Sequence, residues 1–493
     1  MRSRWAIDRA LLLRFGAEAI TKGSSFLIMP LLVRLMGVDG YGQFTFSQAA
    51  ISAMVPLVSL GLGFSLVRQI AGITDQETIQ QRLGGAIAIA SAIALPLTVA
   101  LWFSAPLLAA FIGPTADSTP LIKMSCLLLL ASVWQGLTME ALRARLETGA
   151  ATALQVAEAV ALPFGIGLLV WANRLDPAAF IGFAAALKLV VAGCAFYRVI
   201  DRSALFRPRL WLLPVEDIRN ALSIGTPFMV AGLGEWLMAL GDRFAVGSIT
   251  GAESVGHYAS AQTLVAVLAS WGAPFWWVLF PRFCASLEQR DRMAAVTSAR
   301  AVGGLFLEGG IPLLVFLALA GSQILQLLGG PKLHVEPTVI TLLAGAAFIN
   351  QAASPWEYAL YAERRGGMLM RATLICGLAT LGLSIMALPV LGLTGAALAA
   401  VAGRVGFAAM IISAAYKMGY DHTILVGKTQ LRRIATATMT SSIAAGSIAV
   451  AASFNAIPGK APLSVLAAAA FISVYAASAF GLRFFRPRQQ GGF

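Results

Sequence analysis

The sequence predicts an all-α integral membrane protein with 14 transmembrane helices, arranged as two parallel six-helix lobes and two additional C-terminal helices. Three observations predict this class. Of the 493 residues, 58% are hydrophobic and 12% are charged, which is too apolar for an ordinary soluble fold. Apolar stretches of about 20 residues recur along the chain, and each could cross a hydrocarbon core about 30 Å thick. Finally, one motif occurs twice, 214 residues apart.

The predicted spans cover nearly the whole chain and leave no room for a soluble domain. Span 1 is not a cleaved signal peptide, because Arg14, Glu18 and Lys22 interrupt the apolar core that such a peptide needs. The spans, numbered 1 to 14, are 11–36, 44–67, 84–112, 121–142, 151–172, 177–197, 221–249, 258–281, 301–328, 337–361, 372–389, 393–416, 434–454 and 462–482.

Basic residues are distributed unevenly between the two sides of these spans. With a cytoplasmic N-terminus, 26 of the 36 Lys and Arg residues fall on inner segments and three on outer loops. An error in the span count would reverse this asymmetry from that point onward, so it supports 14 spans with both termini cytoplasmic. The net charge of +13 therefore reflects topology and contact with anionic lipid, not a nucleic-acid partner.

The repeated motif defines the domain organisation. GVDGYGQFTFSQA at 37–49 follows span 1, and GAESVGHYASAQT at 251–263 follows span 7. Their glycines indicate tight turns at the membrane surface. Six spans separate the copies, an even number that preserves orientation, so the lobes are parallel. The predicted divisions are an N-lobe at 1–197, a cytoplasmic linker at 198–220, a C-lobe at 221–416, and spans 13 and 14 with a cytoplasmic tail at 417–493.

Three segments carry a family resemblance: the G-x-D/E-x-x-G-x-F/Y motif after spans 1 and 7, SLGLGFSLVRQIA at 59–71 and GDRFAVGSITG at 241–251. Together they resemble the polysaccharide flippase family, in the superfamily that also holds multidrug and toxin extrusion (MATE) transporters and the lipid II flippase. The resemblance implies a MATE-like V-shaped pair of lobes around a central cavity. It also implies a cargo of undecaprenyl-diphosphate-linked oligosaccharide, moved from the inner to the outer leaflet of the bacterial inner membrane for surface polysaccharide assembly, with a polysaccharide polymerase and other assembly proteins as partners.

Charged residues within the spans are the candidate site residues, because a charge in hydrocarbon costs about 2.5–3.5 kcal/mol unless it meets a partner or water. Span 1 carries Arg14, Glu18 and Lys22 on one face. We expect Arg14 and Lys22 to bind diphosphate or sugar hydroxyls, with Glu18 orienting them. The alternative is an ion-pair ladder that only packs span 1 against its neighbours.

The remaining candidates belong to both lobes. Lys188 in span 6 and Arg404 in span 12 are 216 residues apart, close to the repeat offset, so each lobe places one base at mid-depth. With Arg243 in span 7, they are the expected cavity cations. The competing interpretation is structural pairing of these bases with Glu158 or Glu235. Buried carboxylates are candidates for proton or sodium coupling, or for simple counter-ions: Glu158, Glu235, Asp242 and Glu308.

No enzyme is predicted. The soluble segments contain no paired carboxylates, Ser/His/Asp set or nucleotide site, and the scattered cysteines and histidines predict no metal centre or cofactor. Two other transporter functions remain open. A multidrug exporter would favour an acid-dominated aromatic pocket, whereas this chain has bases at depth. A lipid II flippase shares both the helix count and a basic cavity.

Overall fold

The computed structural model describes the backbone of residues 2–63, 66, 75–112, 118–145, 147–199, 215–288, 291–363 and 365–420; some side chains in these ranges lie outside the description, among them those of residues 2–19 and of Lys22. Every regular element in these ranges is an α-helix. The helices are α1 (Arg2–Ser59), α2 (Gln76–Ile112), α3 (Ser118–Ala144), α4 (Thr148–Trp171), α5 (Pro177–Val199), α6 (Val215–Thr250), α7 (Ala252–Glu288), α8 (Arg292–Gly329), α9 (Pro337–Ala362) and α10 (Gly366–Lys417).

The predicted multi-span membrane class is confirmed. Among the described residues, eight helices contain segments long and apolar enough to cross a bilayer. The total of 14 spans stays a prediction, because spans 13 and 14 lie outside the described residues. Most of the predicted linker at 198–220 lies outside them as well.

Glycines with positive φ divide the longest helical runs. In α1 the backbone breaks only at Gly37, with φ 79°, so that the predicted spans 1 and 2 form two arms of one element. Gly251, with φ 88°, separates α6 from α7. Both predicted turns are therefore confirmed, and they are narrower than expected because the helix resumes at the next residue. A third such glycine, Gly392, divides α10 into the predicted spans 11 and 12.

Several helices extend well beyond the predicted spans. Span 8 was expected at 258–281, whereas α7 runs for 37 residues from Ala252 to Glu288. Hydropathy marks only the part of a helix that lies in hydrocarbon, and polar turns at either end continue the same backbone hydrogen bonds. Two helix starts instead follow aspartates that cap the first turn. Asp176 accepts the Ala179 N–H at 2.8 Å before α5, and Asp291 accepts the Ala294 N–H at 2.9 Å before α8.

The chain divides into two compact units. The first comprises Met1–Thr263 with Glu363–Ser413, and the second comprises Leu264–Ala362 with Ala414–Phe493. Both predicted lobes contribute helices to the first unit, and the lobe division itself stays a prediction. In the first unit, small and branched side chains from α2 to α5 form one buried cluster that includes Leu83, Leu142 and Ala195. Small side chains let membrane helices approach closely, which gives van der Waals packing in place of a hydrophobic driving force.

We expect Phe180→Ala to destabilise the first unit. Phe180 is 1% exposed and its ring centroid lies 5.0 Å from that of Phe44 in α1, so truncation leaves a cavity worth about 3–5 kcal/mol. Thermal unfolding in detergent measures the loss. The matched control is Phe164→Ala in α4, where the side chain is 75% exposed and we expect little change. Equal melting temperatures for the two variants would contradict the packing described here.

Candidate functional site

The predicted charged face of span 1 lies outside the described side chains. Arg14, Glu18 and Lys22 all lie in α1, but their side chains fall outside the described residues. Their roles in cargo binding therefore stay predictions. Apart from Glu308, the other candidate residues form three polar clusters, and all three lie within the first unit.

The first cluster surrounds Lys188 and draws on three helices. The Lys188 ammonium, on α5, donates to Glu158 Oε1 on α4 at 3.1 Å and to Gln135 Oε1 on α3 at 2.7 Å. The Gln135 amide nitrogen in turn donates to the other oxygen of Glu158. The Lys188 and Glu158 side chains are 26% and 16% exposed. Base, acid and amide thus form a closed triangle in which the two charges balance.

The second cluster joins Arg404 of α10 to α6. Arg404 Nη1 lies 3.7 Å from Glu235 Oε1, and Nη2 donates to the Met238 carbonyl at 3.2 Å. Arg404 is 12% exposed, whereas Glu235 is 56% exposed. Close helix packing makes the pairing possible, since a Cβ at Gly234 would lie 2.9 Å from the backbone of α10.

The third cluster holds Asp242, which is only 2% exposed. Its carboxylate accepts three kinds of donor: the Arg243 N–H at 2.7 Å, the Tyr258 hydroxyl at 2.6 Å and the Gln262 amide at 3.1 Å. Gln262 also accepts from Arg243 Nε at 2.8 Å, so one amide connects the adjacent acid and base. These bonds satisfy a carboxylate that would otherwise be costly to bury.

The structure thus brings the predicted residues together in pairs. Lys188 lies with Glu158 and Arg404 with Glu235, which is the geometry of the competing structural interpretation. Arg243 lies with Asp242 through Gln262. Glu308 lies on α8 in the second unit, with a shielded carboxylate oxygen.

Sequence reasoning missed three polar partners. Gln135, Tyr258 and Gln262 are uncharged, so a search for ionisable residues in spans passed over them. Gln135 could have been found as an amide within the predicted span at 121–142, after the apolar run from 127 to 131. Tyr258 and Gln262 could have been found because both belong to the second copy of the repeated motif.

The fold is shared with solved transporters. The lipid II flippase MurJ, in an inward closed conformation, is 13% identical with a TM-score of 0.67, covering 95% of this chain and 98% of that one. An inward-facing multidrug resistance MATE family transporter of the MOP superfamily is 14% identical with a TM-score of 0.63, covering 82% and 96%. The fold is therefore that of the MOP-superfamily transporters.

Sequence comparison identifies the family. Residues 11–286 match the family described as "Polysaccharide biosynthesis protein". A relative from Escherichia coli (strain K12), described as "Putative O-antigen transporter", is 22% identical over 352 residues, covering 67% of this chain and 78% of that protein. This chain belongs to the polysaccharide biosynthesis protein family.

Removing one member of the Lys188 pair should cost more than removing both charges. Lys188→Met leaves Glu158 charged without its ammonium, and we expect a loss of about 1–3 kcal/mol, moderated by the partial exposure of the pair. The double variant Lys188→Met with Glu158→Gln removes both charges, and it should unfold closer to wild type. Thermal melts of wild type, the two single variants and the double variant in one detergent test this, and additive losses would show that the pair is not coupled.

Proposed function

We propose that the protein is a flippase that moves undecaprenyl-diphosphate-linked oligosaccharide from the inner to the outer leaflet of the bacterial inner membrane by alternating access. It is a transporter, not an enzyme. The family description, the name of the Escherichia coli relative and the fold shared with MurJ support this class of cargo. The basic inner segments support cytoplasmic termini. A polysaccharide polymerase and other assembly proteins would act on the delivered cargo.

The observation that carries the proposal is the pairing of a base with a carboxylate at two positions whose spacing is within two residues of the repeat offset. A diphosphate head and its sugars cannot enter hydrocarbon, so the path must supply cations at depth. Lys188 and Arg404 are predicted to lie at that depth in their spans, and they pair with Glu158 and Glu235. An incoming phosphate offers each base another anionic oxygen, and it competes with the carboxylate for the same donors.

The two pairs differ in the exposure of the carboxylate and in its distance from the base, and this difference supports different roles for them. Their bases lie within two residues of the repeat offset, but the acids come from α4 in one pair and from α6 in the other. Glu158 is 16% exposed and is also bound by Gln135, whereas Glu235 is 56% exposed and lies 3.7 Å from its base. Glu235 is the easier carboxylate to displace. Arg404, whose planar guanidinium can bind phosphate through two N–H groups, is the first contact for the diphosphate.

Several roles complete the proposal. Arg14 and Lys22 add cations along span 1, with Glu18 orienting them, and Arg243 supplies a further base near Asp242. The carboxylates proposed for proton or sodium coupling are Glu158, Glu235, Asp242 and Glu308. The family match favours this function over lipid II or drug export, which share the fold.

Arg404→Ala and Lys188→Ala should each reduce export of surface glycan at least about tenfold, because each removes a cation from the path. The assay is complementation of a strain that depends on this protein, with surface glycan measured at matched expression. The control is Arg143→Ala, which removes an exposed base paired with Glu140 three residues away. Normal export by both alanine variants would rule out the cation assignment, and dye resistance without glycan export would indicate a drug transporter.

A further inference from the structure

Gln351 of α9 places an amide in an aromatic cluster of the second unit. The side chain is partly exposed, and its Oε1 accepts from the indole N–H of Trp276 on α7 at 3.0 Å. Gly272, one turn before Trp276 on α7, makes room for this bond, because a Cβ there would lie 2.4 Å from Gln351 Oε1. Trp276 is only 2% exposed, so the bond that holds the amide starts from a buried ring.

This bond fixes the direction of the amide. An indole N–H can only donate, so the oxygen of Gln351 must face Trp276 and the NH2 group lies on the opposite branch. Among the described residues, no group accepts from the two N–H donors of that NH2 group. Hydrocarbon offers no acceptor, and an unbonded amide there is costly. The two donors should therefore face water or a ligand.

Two aromatic rings lie beside this amide on α7. Trp271 and Phe275 are four residues apart and so share a face of the helix; both are partly exposed, and their ring centroids are 5.3 Å apart. The indole N–H of Trp271 donates to the Phe306 carbonyl at 3.1 Å. Its ring packs on Gly309, where a Cβ would lie 2.1 Å from Trp271 Cζ2. The rings are therefore held in place next to the oriented amide.

The cluster has no cation that could match a phosphate. No Lys or Arg occurs at 264–281, 301–331 or 333–363, the ranges that contain the rings and the amide. The bases of the candidate site, Lys188, Arg243 and Arg404, all belong to the first unit. A phosphate bound at the cluster would carry an unmatched charge. A neutral ligand with oxygen acceptors and some apolar surface fits these side chains better.

A sugar ring has both properties. Its hydroxyl oxygens accept from amide N–H groups, and its C–H faces pack on aromatic rings. Binding sites for small molecules commonly combine aromatic walls with a few placed polar groups. We propose that Gln351, Trp271 and Phe275 form a neutral subsite that binds a sugar of the cargo. This subsite depends on the proposed function, because its ligand is part of that cargo, and it separates sugar recognition from diphosphate binding by the bases.

Two forms of the lipid carrier isolate the contribution of the sugar. The probes are undecaprenyl diphosphate and undecaprenyl-diphosphate-linked oligosaccharide, and the Kd of the purified full-length protein is measured for each in one detergent. Wild type should bind the glycosylated carrier more tightly. Gln351→Met should weaken that binding about threefold to tenfold, the loss expected for one hydrogen bond, and should leave binding of the sugar-free carrier unchanged. Trp271→Leu should cause the same selective loss.

Two further variants separate ligand contact from folding. Gln351→Met also removes the acceptor of Trp276, which leaves a buried N–H unbonded. Adding Trp276→Phe removes that N–H as well, so the double variant covers the case in which the single variant fails to fold, and it should show the same selective loss. The matched control is Gln326→Met, also in the second unit, where the amide instead bonds to His334 at 2.6 Å. Both affinities should stay at the wild-type level in this control.

The pattern across the two carriers decides the outcome. If folded Gln351→Met or the double variant binds both carriers as wild type does, or loses affinity for both equally, the subsite is wrong and the proposed function stands. A loss confined to the sugar-free carrier would assign the amide to phosphate and would also overturn the subsite. Wild-type protein that binds neither carrier would contradict the proposed function and the subsite together.

Discussion

The requirement that governs this fold is that polar groups within the spans find their partners inside the protein. Hydrocarbon offers no hydrogen bonds, so each buried base or acid must be matched by another side chain or by backbone. Lys188, Arg404 and Asp242 meet this requirement in different ways: with a carboxylate and an amide, with a carboxylate and a carbonyl, and with three donors. Each of these three charged side chains is therefore matched by partners within the protein.

A base that is paired with a carboxylate can exchange that carboxylate for another anion. Arg404 is held by the half-exposed carboxylate of Glu235 and by the Met238 carbonyl, and in the proposed function the carboxylate is the contact that an incoming anion replaces. A base held by both a carboxylate and an amide, as Lys188 is, remains oriented when one contact weakens. In the proposed function, the two bases differ in their partners, and this difference supports separate roles for them along one path.

The sequence predicts much of the fold because hydropathy indicates the spans, charge asymmetry indicates their orientation, and glycines indicate the turns. Gly37 and Gly251 could be identified as turn residues because both head copies of one motif. Lys188 and Arg404 stood out as charges in apolar spans. Their partners could not be chosen, since several acids lie in neighbouring spans and only packing decides which is in reach. Gly42 packs against the Ala252 carbonyl so closely that a Cβ would clash there, and this contact was equally hidden, because similarity between two segments does not indicate that they touch. Gln135 escaped notice because it carries no charge.

The most direct test of the central claim uses purified protein in liposomes that contain undecaprenyl-diphosphate-linked oligosaccharide in both leaflets. A membrane-impermeant glycosidase added outside digests only the outer sugars. If the protein is a flippase for this cargo, digestion should continue beyond the outer half, and the excess should vanish with Arg404→Ala. Digestion that stops at the level of protein-free liposomes, with folded protein present under each ion gradient, would contradict the account.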